Sequence, residues 1–329
     1  MNKSLVIAEK PSVASDIAKA LGGFKKVKDV YERDDMVITS AVGHLLKMVV
    51  PEKHDIKRGK WSLTKLPHLP PKFALEPFEK TESRLKTIVR QIKRKDVDLL
   101  INACDAAREG ELIFRHIVEY TKSKHRIKRL WLQSMTPEAI RTGFNNLKSD
   151  NDLIPLSNAA KCRSEADWLV GINSTRAFTA FNSLDGGFYK TPVGRVKTPT
   201  LAMVVRREEE IVKFISDPFF EINVNFTTNK GEYTGKYFDK NFKKDKGNQK
   251  FKESRIWDRD VALEITRDIT GQKAKALDET KTLSQSPPSL FDLTSLQREA
   301  NNRFGFSAKN TVGLAQALYD KHKLITYPR

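Results

Sequence analysis
Twice in its first half the chain runs through a short apolar stretch, stops at a carboxylate and passes into a helix-forming segment. That rhythm leaves few folds open. The first instance is Ser4 to Ala8, then Glu9, a Pro11–Ser12 helix-start signal and an amphipathic stretch from Val13 to Leu21 closed by Gly22 and Gly23. The second is Leu99, Leu100 and Ile101, then Asp105, Glu109 and a helix pattern from Glu111 to Tyr120. Met36 to Ala41 reads as a further strand, ending at Gly43 and His44. Strands alternating with helices predict an α/β domain with an open, mostly parallel sheet over residues 1–150.

The pattern changes beyond that point. Residues 151–215 read as a helical segment, with one helix from Leu156 to Leu184 and another from Thr200 to Phe214. Residues 216–283 read as β-rich: Phe220, Ile222, Val224 and Phe226 alternate with polar residues ahead of an Asn229-Lys230-Gly231 turn and a strand from Tyr233 to Phe238. In residues 284–329, Leu293, Leu296, Ala300 and Phe304 mark a helix, and Ser307 is placed to cap a second one running to about Lys321.

Fifty-nine Lys and Arg against forty-one Asp and Glu give a formal net charge of +18, spread along the chain, so a polyanionic partner is the first expectation. An anionic membrane fits the charge equally well. No apolar run approaches the roughly 20 residues that span a bilayer, however, and Leu5 to Ala8 is too short for a signal peptide. Two cysteines, Cys104 and Cys162, build no disulfide framework, and no CxxC pair suggests zinc; a reducing cytoplasm fits best. The GxxxxGK[ST] phosphate cradle is absent, so no P-loop drives the chemistry.

Glu9, Asp105 and Glu109 fall at the ends of the expected strands. Open α/β sheets collect their ligand-binding groups there, so these oxygens could hold a Mg²⁺ ion beside a phosphate. Asp105 and Glu109 would alternatively do no more than favour the positive end of the following helix.

Six stretches, IAEKPSVASDIAKAL, DAAREGEL, ADWLVGIN, VGRVKTPTLA, LFDLTSLQREANNRFGFSAKNT and LITYPR, resemble in this order the successive signatures of type IA DNA topoisomerases of the bacterial topoisomerase III kind. The resemblance spans nearly the whole chain. It implies a Toprim α/β domain followed by helical and β-rich pieces of an incomplete type IA ring, acting on single-stranded DNA without ATP in the cytoplasm, at the nucleoid. It also implies residue roles. Tyr327 would attack a phosphodiester to leave a 5′-phosphotyrosine and a free 3′-hydroxyl. Glu9 would handle the proton of the 3′-oxygen, while Lys10 and Arg329 would hold the scissile phosphate. Arg195, Lys197, Gln297 and Arg298 would meet the DNA, arginine suiting phosphate through its two-bond fork. Glu9, Asp105 and Glu109 would be the Mg²⁺ ligands.

Two positions depart from the family pattern. Ala107 stands at the middle of the DxDxE cluster, which makes a second metal ion unexpected, and Lys197 stands where glutamine is common. Because the family runs on for several hundred residues past TYPR, the chain is expected to be an N-terminal part with little or no activity alone. Two readings compete: a non-catalytic remnant that only binds single-stranded DNA, and a Toprim primase or nuclease. The second is disfavoured because the later signatures have no place in it. The sequence leaves helicase or single-strand-binding protein partners open.

Overall fold
The computed structural model describes residues 2–50, 61–243 and 250–328. The chain forms two compact units, one of residues 1–201 with 289–329 and one of residues 202–288. In chain order the first unit begins with β1 (Lys3–Ala8), α1 (Pro11–Leu21), β2 (Lys25–Val27), β3 (Val30–Glu32), β4 (Met36–Ser40), β5 (Leu46–Met48), β6 (Leu75–Pro77) and α2 (Glu82–Ile92). It continues through β7 (Val97–Ala103), α3 (Arg108–Thr121), β8 (Arg126–Arg129), α4 (Pro137–Asn145), β9 (Lys148–Ser149) and the long α5 (Ile154–Asn182).

Among the described residues one seven-stranded sheet has the order β2-β3-β4-β1-β7-β8-β9. Its centre is parallel: β1 pairs with β4 and with β7, and β7 pairs with β8. The edges are antiparallel, through β2 with β3, β3 with β4, and β8 with β9. The expected parallel core is therefore present, flanked by edge strands that the apolar pattern did not reveal.

Alternation along the strands builds a core on each face. Leu5 and Ile7 of β1, Val37 of β4 and Leu100 of β7 pack with Leu85, Ile88 and Ile92 of α2 and with Ile113, Phe114 and Ile117 of α3. On the other face, Val6, Ala8, Ile38, Ile101 and Ala103 pack with Val13, Ala14 and Ile17 of α1 and Ile140 of α4. Seen from β1, the chain turns first toward β4 and later toward β7, so the strand order reverses between β1 and β7. Open α/β sheets bind ligands beyond the strand ends at such a reversal.

α6 (Lys197–Val212) leads out of the first unit. The second unit holds the antiparallel pair β10 (Asn223–Thr228) and β11 (Gly231–Lys236), with Phe226 stacked on Tyr233, and α7 (Arg259–Ile269) capped by Asp258. Phe220, expected in the strand, instead bridges to Ile256. Back in the first unit, α8 (Leu293–Phe304) starts in a capping box of Asp292 with Ser295 and ends at Gly305 in the left-handed conformation. α9 (Ala308–Asp320) starts at Ser307, whose hydroxyl accepts from the Asn310 N–H, as its sequence foretold. Among the described residues no helix is long and apolar enough to cross a membrane.

Candidate active site
Glu9 is the first residue past β1, and Asp105 lies two residues past β7. Adjacent parallel strands thus deliver both carboxylates to the same sheet edge. The Asp105 N–H donates to Glu9 Oε2 at 3.2 Å, and the Glu9 carbonyl accepts from Gly43 N at 3.2 Å. Lys10, at the start of α1, brings Nζ to 3.7 Å from Asp105 Oδ2. That carboxylate oxygen is buried and has no hydrogen bond among the described residues. A buried carboxylate oxygen without a donor is costly, and a cation beside it relieves the cost.

Glu109 sits elsewhere. In the first turn of α3, its carboxylate faces His44 Nε2 at 3.5 Å and Arg163 Nη1 of α5 at 3.3 Å. Arg163 also approaches Asp167, and Asp167 holds the guanidinium of Arg195 through both carboxylate oxygens. An ion-pair chain, Glu109–Arg163–Asp167–Arg195, therefore joins the acidic turn to the VGRVKT stretch. Among the described residues no group of three or more His, Cys, Asp or Glu is spaced to hold a metal ion. The donor set at the strand ends is two carboxylates, Glu9 and Asp105. That suits Mg²⁺, which takes one or two carboxylates and completes its shell with water and phosphate.

The turn that carries Asp105 is built from beneath. Arg129, at the end of β8 and 1% exposed, donates from Nη1 to Asn102 O at 3.0 Å, Asn102 Oδ1 at 2.8 Å and Cys104 O at 2.7 Å, and from Nη2 to Asp105 O at 2.6 Å. Asn102 in turn donates to Glu111 Oε2 at 2.9 Å, and Arg115 donates to Glu111 Oε1 at 2.7 Å. Burial pushes the Arg129 guanidinium below its ordinary value, but arginine stays protonated. Burial also pushes the Cys104 thiol well up, which leaves it inert. Gly110 closes the arrangement: a Cβ there would lie 2.7 Å from the Asp105 nitrogen and closer still to its carbonyl oxygen. Arg129, Asn102, Glu111 and Gly110 were not singled out from the sequence. A lone arginine in RIKRLW reads as surface, and only Gly110 and Glu111, inside DAAREGEL, carried a signal.

Tyr327 reaches the same region from the far end of the chain. Its ring packs on the second core face and meets the Tyr319 ring edge-on, centroids 5.2 Å apart at 74°. Its N–H donates to Gln133 O at 3.2 Å. Tyr319 is 4% exposed, and burial raises its hydroxyl above the ordinary tyrosine value, with the charges of Asp105, Asp320, Tyr327 and Glu9 adding to the effect. Tyr319 thus lies within the electrostatic reach of the carboxylate pair. Arg329 lies outside the described residues. Lys197 opens α6 and is exposed, Gln297 donates to Ala308 O at 3.3 Å, and Arg298 is exposed on α8. No described contact joins these three to the strand-end carboxylates.

A largely parallel α/β sheet that carries a carboxylate pair at its strand ends, beside the reversal of strand order, is the class of protein that the fold defines. Residues 4–135 match the Toprim domain, a class that binds divalent cations, and residues 152–329 match the DNA topoisomerase family; the chain belongs to that family. It is 40% identical over its full length to the DNA topoisomerase 3 of Bacillus subtilis and 41% identical to that of Bacillus cereus, covering 43% of each. The chain thus spans less than half the length of these curated relatives. Full-length topoisomerase I from Thermotoga maritima shares the fold, with a TM-score of 0.62 at 22% identity over 99% of this chain and 49% of that one.

Proposed function
We propose that the chain takes part in reversible cleavage of single-stranded DNA, with Tyr327 as the nucleophile. The Tyr327 hydroxyl gives up its proton to solvent as its oxygen bonds to a backbone phosphorus, the P–O3′ bond breaks, and the departing 3′-oxygen takes a proton from the Glu9 carboxyl. Resealing runs the same steps backward, the 3′-hydroxyl giving its proton to Glu9 and expelling the tyrosine. The covalent phosphotyrosine keeps the bond energy, so no ATP is consumed. Lys10 neutralises the phosphate as its charge redistributes. Glu9 and Asp105 would hold a Mg²⁺ ion, which supplies positive charge to align the phosphate and the 3′-oxygen for resealing.

One observation supports the reading: Tyr327 packs against the core cluster that contains Ala8 and Ala103, the last residues of the strands that lead to Glu9 and Asp105, more than 200 residues away in sequence. Arg195, Lys197, Gln297 and Arg298 are proposed as backbone contacts that guide the strand, and the soluble nucleoid compartment as the place of action. Here Arg195 would exchange its Asp167 partner for phosphate. The test is a labelled single-stranded oligonucleotide incubated with the chain and Mg²⁺, resolved by denaturing gel. A covalent adduct that disappears in Tyr327→Phe supports the proposal. Oligonucleotide binding with no adduct would favour the non-catalytic binding reading instead.

A further inference from the structure
We propose that Tyr319 is the positioning residue for Tyr327, its ring forming the wall against which the nucleophile's ring is aimed. The inference rests on the reading of Tyr327 as the nucleophile and names what holds it. Along α9 only Thr311, Ala315 and Tyr319 are buried, a stripe spaced by four residues, and Tyr319 is its only large member. α9 therefore docks on the sheet face mainly through that one ring, which joins Val6, Ala8, Ile38, Ala103 and Leu130 in the core.

The chain then reverses. The N–H groups of Lys321 and His322 donate to Ala317 O, that of Leu324 donates to Leu318 O, and Lys323 adopts φ +57° to make the turn. Lys323 Nζ grips Asp16 Oδ2 of α1 at 2.6 Å, and four residues later the Tyr327 N–H is tied to Gln133 O. These ties fix the backbone of the segment at both ends. Backbone ties do not choose the Tyr327 side-chain rotamer, so groups that flank the ring must contribute to it. The edge-on Tyr319 ring does so. An aromatic pair in this geometry favours one rotamer several-fold beyond the effect of simple burial.

The purpose of such a wall follows from the chemistry. A nucleophile held near its target gains effective molarity, and a displacement of about 1 Å can cost roughly a hundredfold in rate. The ring is what matters in this account, so phenylalanine at position 319 should serve and an aliphatic residue should not.

The test uses the 329-residue chain labelled with 3-fluorotyrosine. The Tyr327 fluorine signal, assigned by its loss in Tyr327→Phe, carries the ring-current displacement expected beside an aromatic edge. Tyr319→Phe should keep that displacement, and Tyr319→Leu should lose it. In parallel, the single-turnover rate of adduct formation should fall about tenfold to a hundredfold in Tyr319→Leu, with oligonucleotide affinity unchanged, and recover to within about threefold in Tyr319→Phe. Should Tyr319→Leu fail to fold, Tyr319→Met, whose unbranched and adaptable side chain fills irregular core space, takes its place. An unmoved fluorine signal in the aliphatic variant overturns the inference, as does an equal loss of rate in the leucine and phenylalanine variants. Absence of adduct from the unsubstituted chain counts against the proposed function instead, and the fluorine spectrum still decides the placement of the ring.

Discussion

Replacing Arg129 by methionine removes the guanidinium that supports the Asp105 turn while keeping most of the aliphatic stem. Four hydrogen bonds go, three of them to the carbonyls of Asn102, Cys104 and Asp105. Hydrogen bonds from a charged donor contribute about 1.5–3 kcal/mol each when broken singly, but they are not additive. Loss of one member of a buried ionic network typically costs about 3–5 kcal/mol, because the partner charge is left uncompensated. Here that partner is Glu111, also 1% exposed, which keeps Arg115 at 2.7 Å and Asn102 at 2.9 Å, so the penalty should fall at the lower end. We expect a loss of about 3 kcal/mol, read as a lower urea midpoint at unchanged slope, and a fall in Tm on the order of 10 °C. Circular dichroism across a urea series measures it. A loss below about 1 kcal/mol would refute the reasoning, since it would mean that the buried guanidinium had been costing as much as its bonds returned.

Further outcomes follow from the same residues. Gly110→Ala should destabilise the first unit by about 1–3 kcal/mol in a thermal melt; helix propensity alone calls for a gain of about 1 kcal/mol, so the sign of the change decides between sterics and propensity. His116, buried on α3, is held down at about 4 by burial and by His44, against the opposing pull of Glu119 and with a smaller push from Lys161. The unfolded chain protonates it near 6.5, so the stability it secures is complete above that pH and is lost as pH falls toward 4. The amount is at most about 3 kcal/mol, and His116→Phe should flatten the stability–pH curve in that window. In a complete enzyme carrying these residues, Asp105→Asn should weaken Mg²⁺-dependent resealing more than cleavage; resealing with unaltered Mg²⁺ dependence in a gel assay would count against the carboxylate pair as cation ligands. Single-stranded oligonucleotide should bind in preference to blunt duplex, with affinity falling steeply as salt rises, and filter binding without a salt slope would oppose a phosphate-reading surface.

What the sequence made legible, and what it hid, divides along the chain's own physics. Ser4 to Ala8, Met36 to Ala41 and Leu99 to Ile101 could be read as strands because both faces of a central parallel strand are buried, which leaves an unbroken apolar run. Edge strands have no such requirement. Lys25–Val27 is wholly exposed, and Arg126–Arg129 holds three cations and the single apolar Ile127, so neither stands out from a loop. α2 was readable in principle, since Leu85, Ile88 and Ile92 keep helical spacing, but its mean polarity is that of a solvated segment. The cap at Ser307 and the stop at Gly305 were local signals and needed no tertiary knowledge.

The same division explains the site. Glu9 and Asp105 could be placed together because strand ends are fixed by the apolar runs that precede them, and the pairing of β1 with β7 then determines their separation. Glu109 could not, because the direction of its side chain depends on His44 and on Arg163, which lies on a helix that the acidic turn does not specify. Arg129 was invisible for a further reason. An arginine is buried only where backbone carbonyls and a carboxylate converge to receive it, and that convergence is created by the fold rather than by any neighbouring residue. Tyr319 belongs with Arg129: its neighbours in sequence are ordinary helix residues, and its importance arises only once the chain has doubled back to lay Tyr327 across it. The groups expected to do chemistry were therefore marked by local pattern, while those that aim them were not. Substitutions at Arg129 and Tyr319 should accordingly alter how well the site is held without removing any reacting group, which is why each is paired above with a measurement of placement or stability.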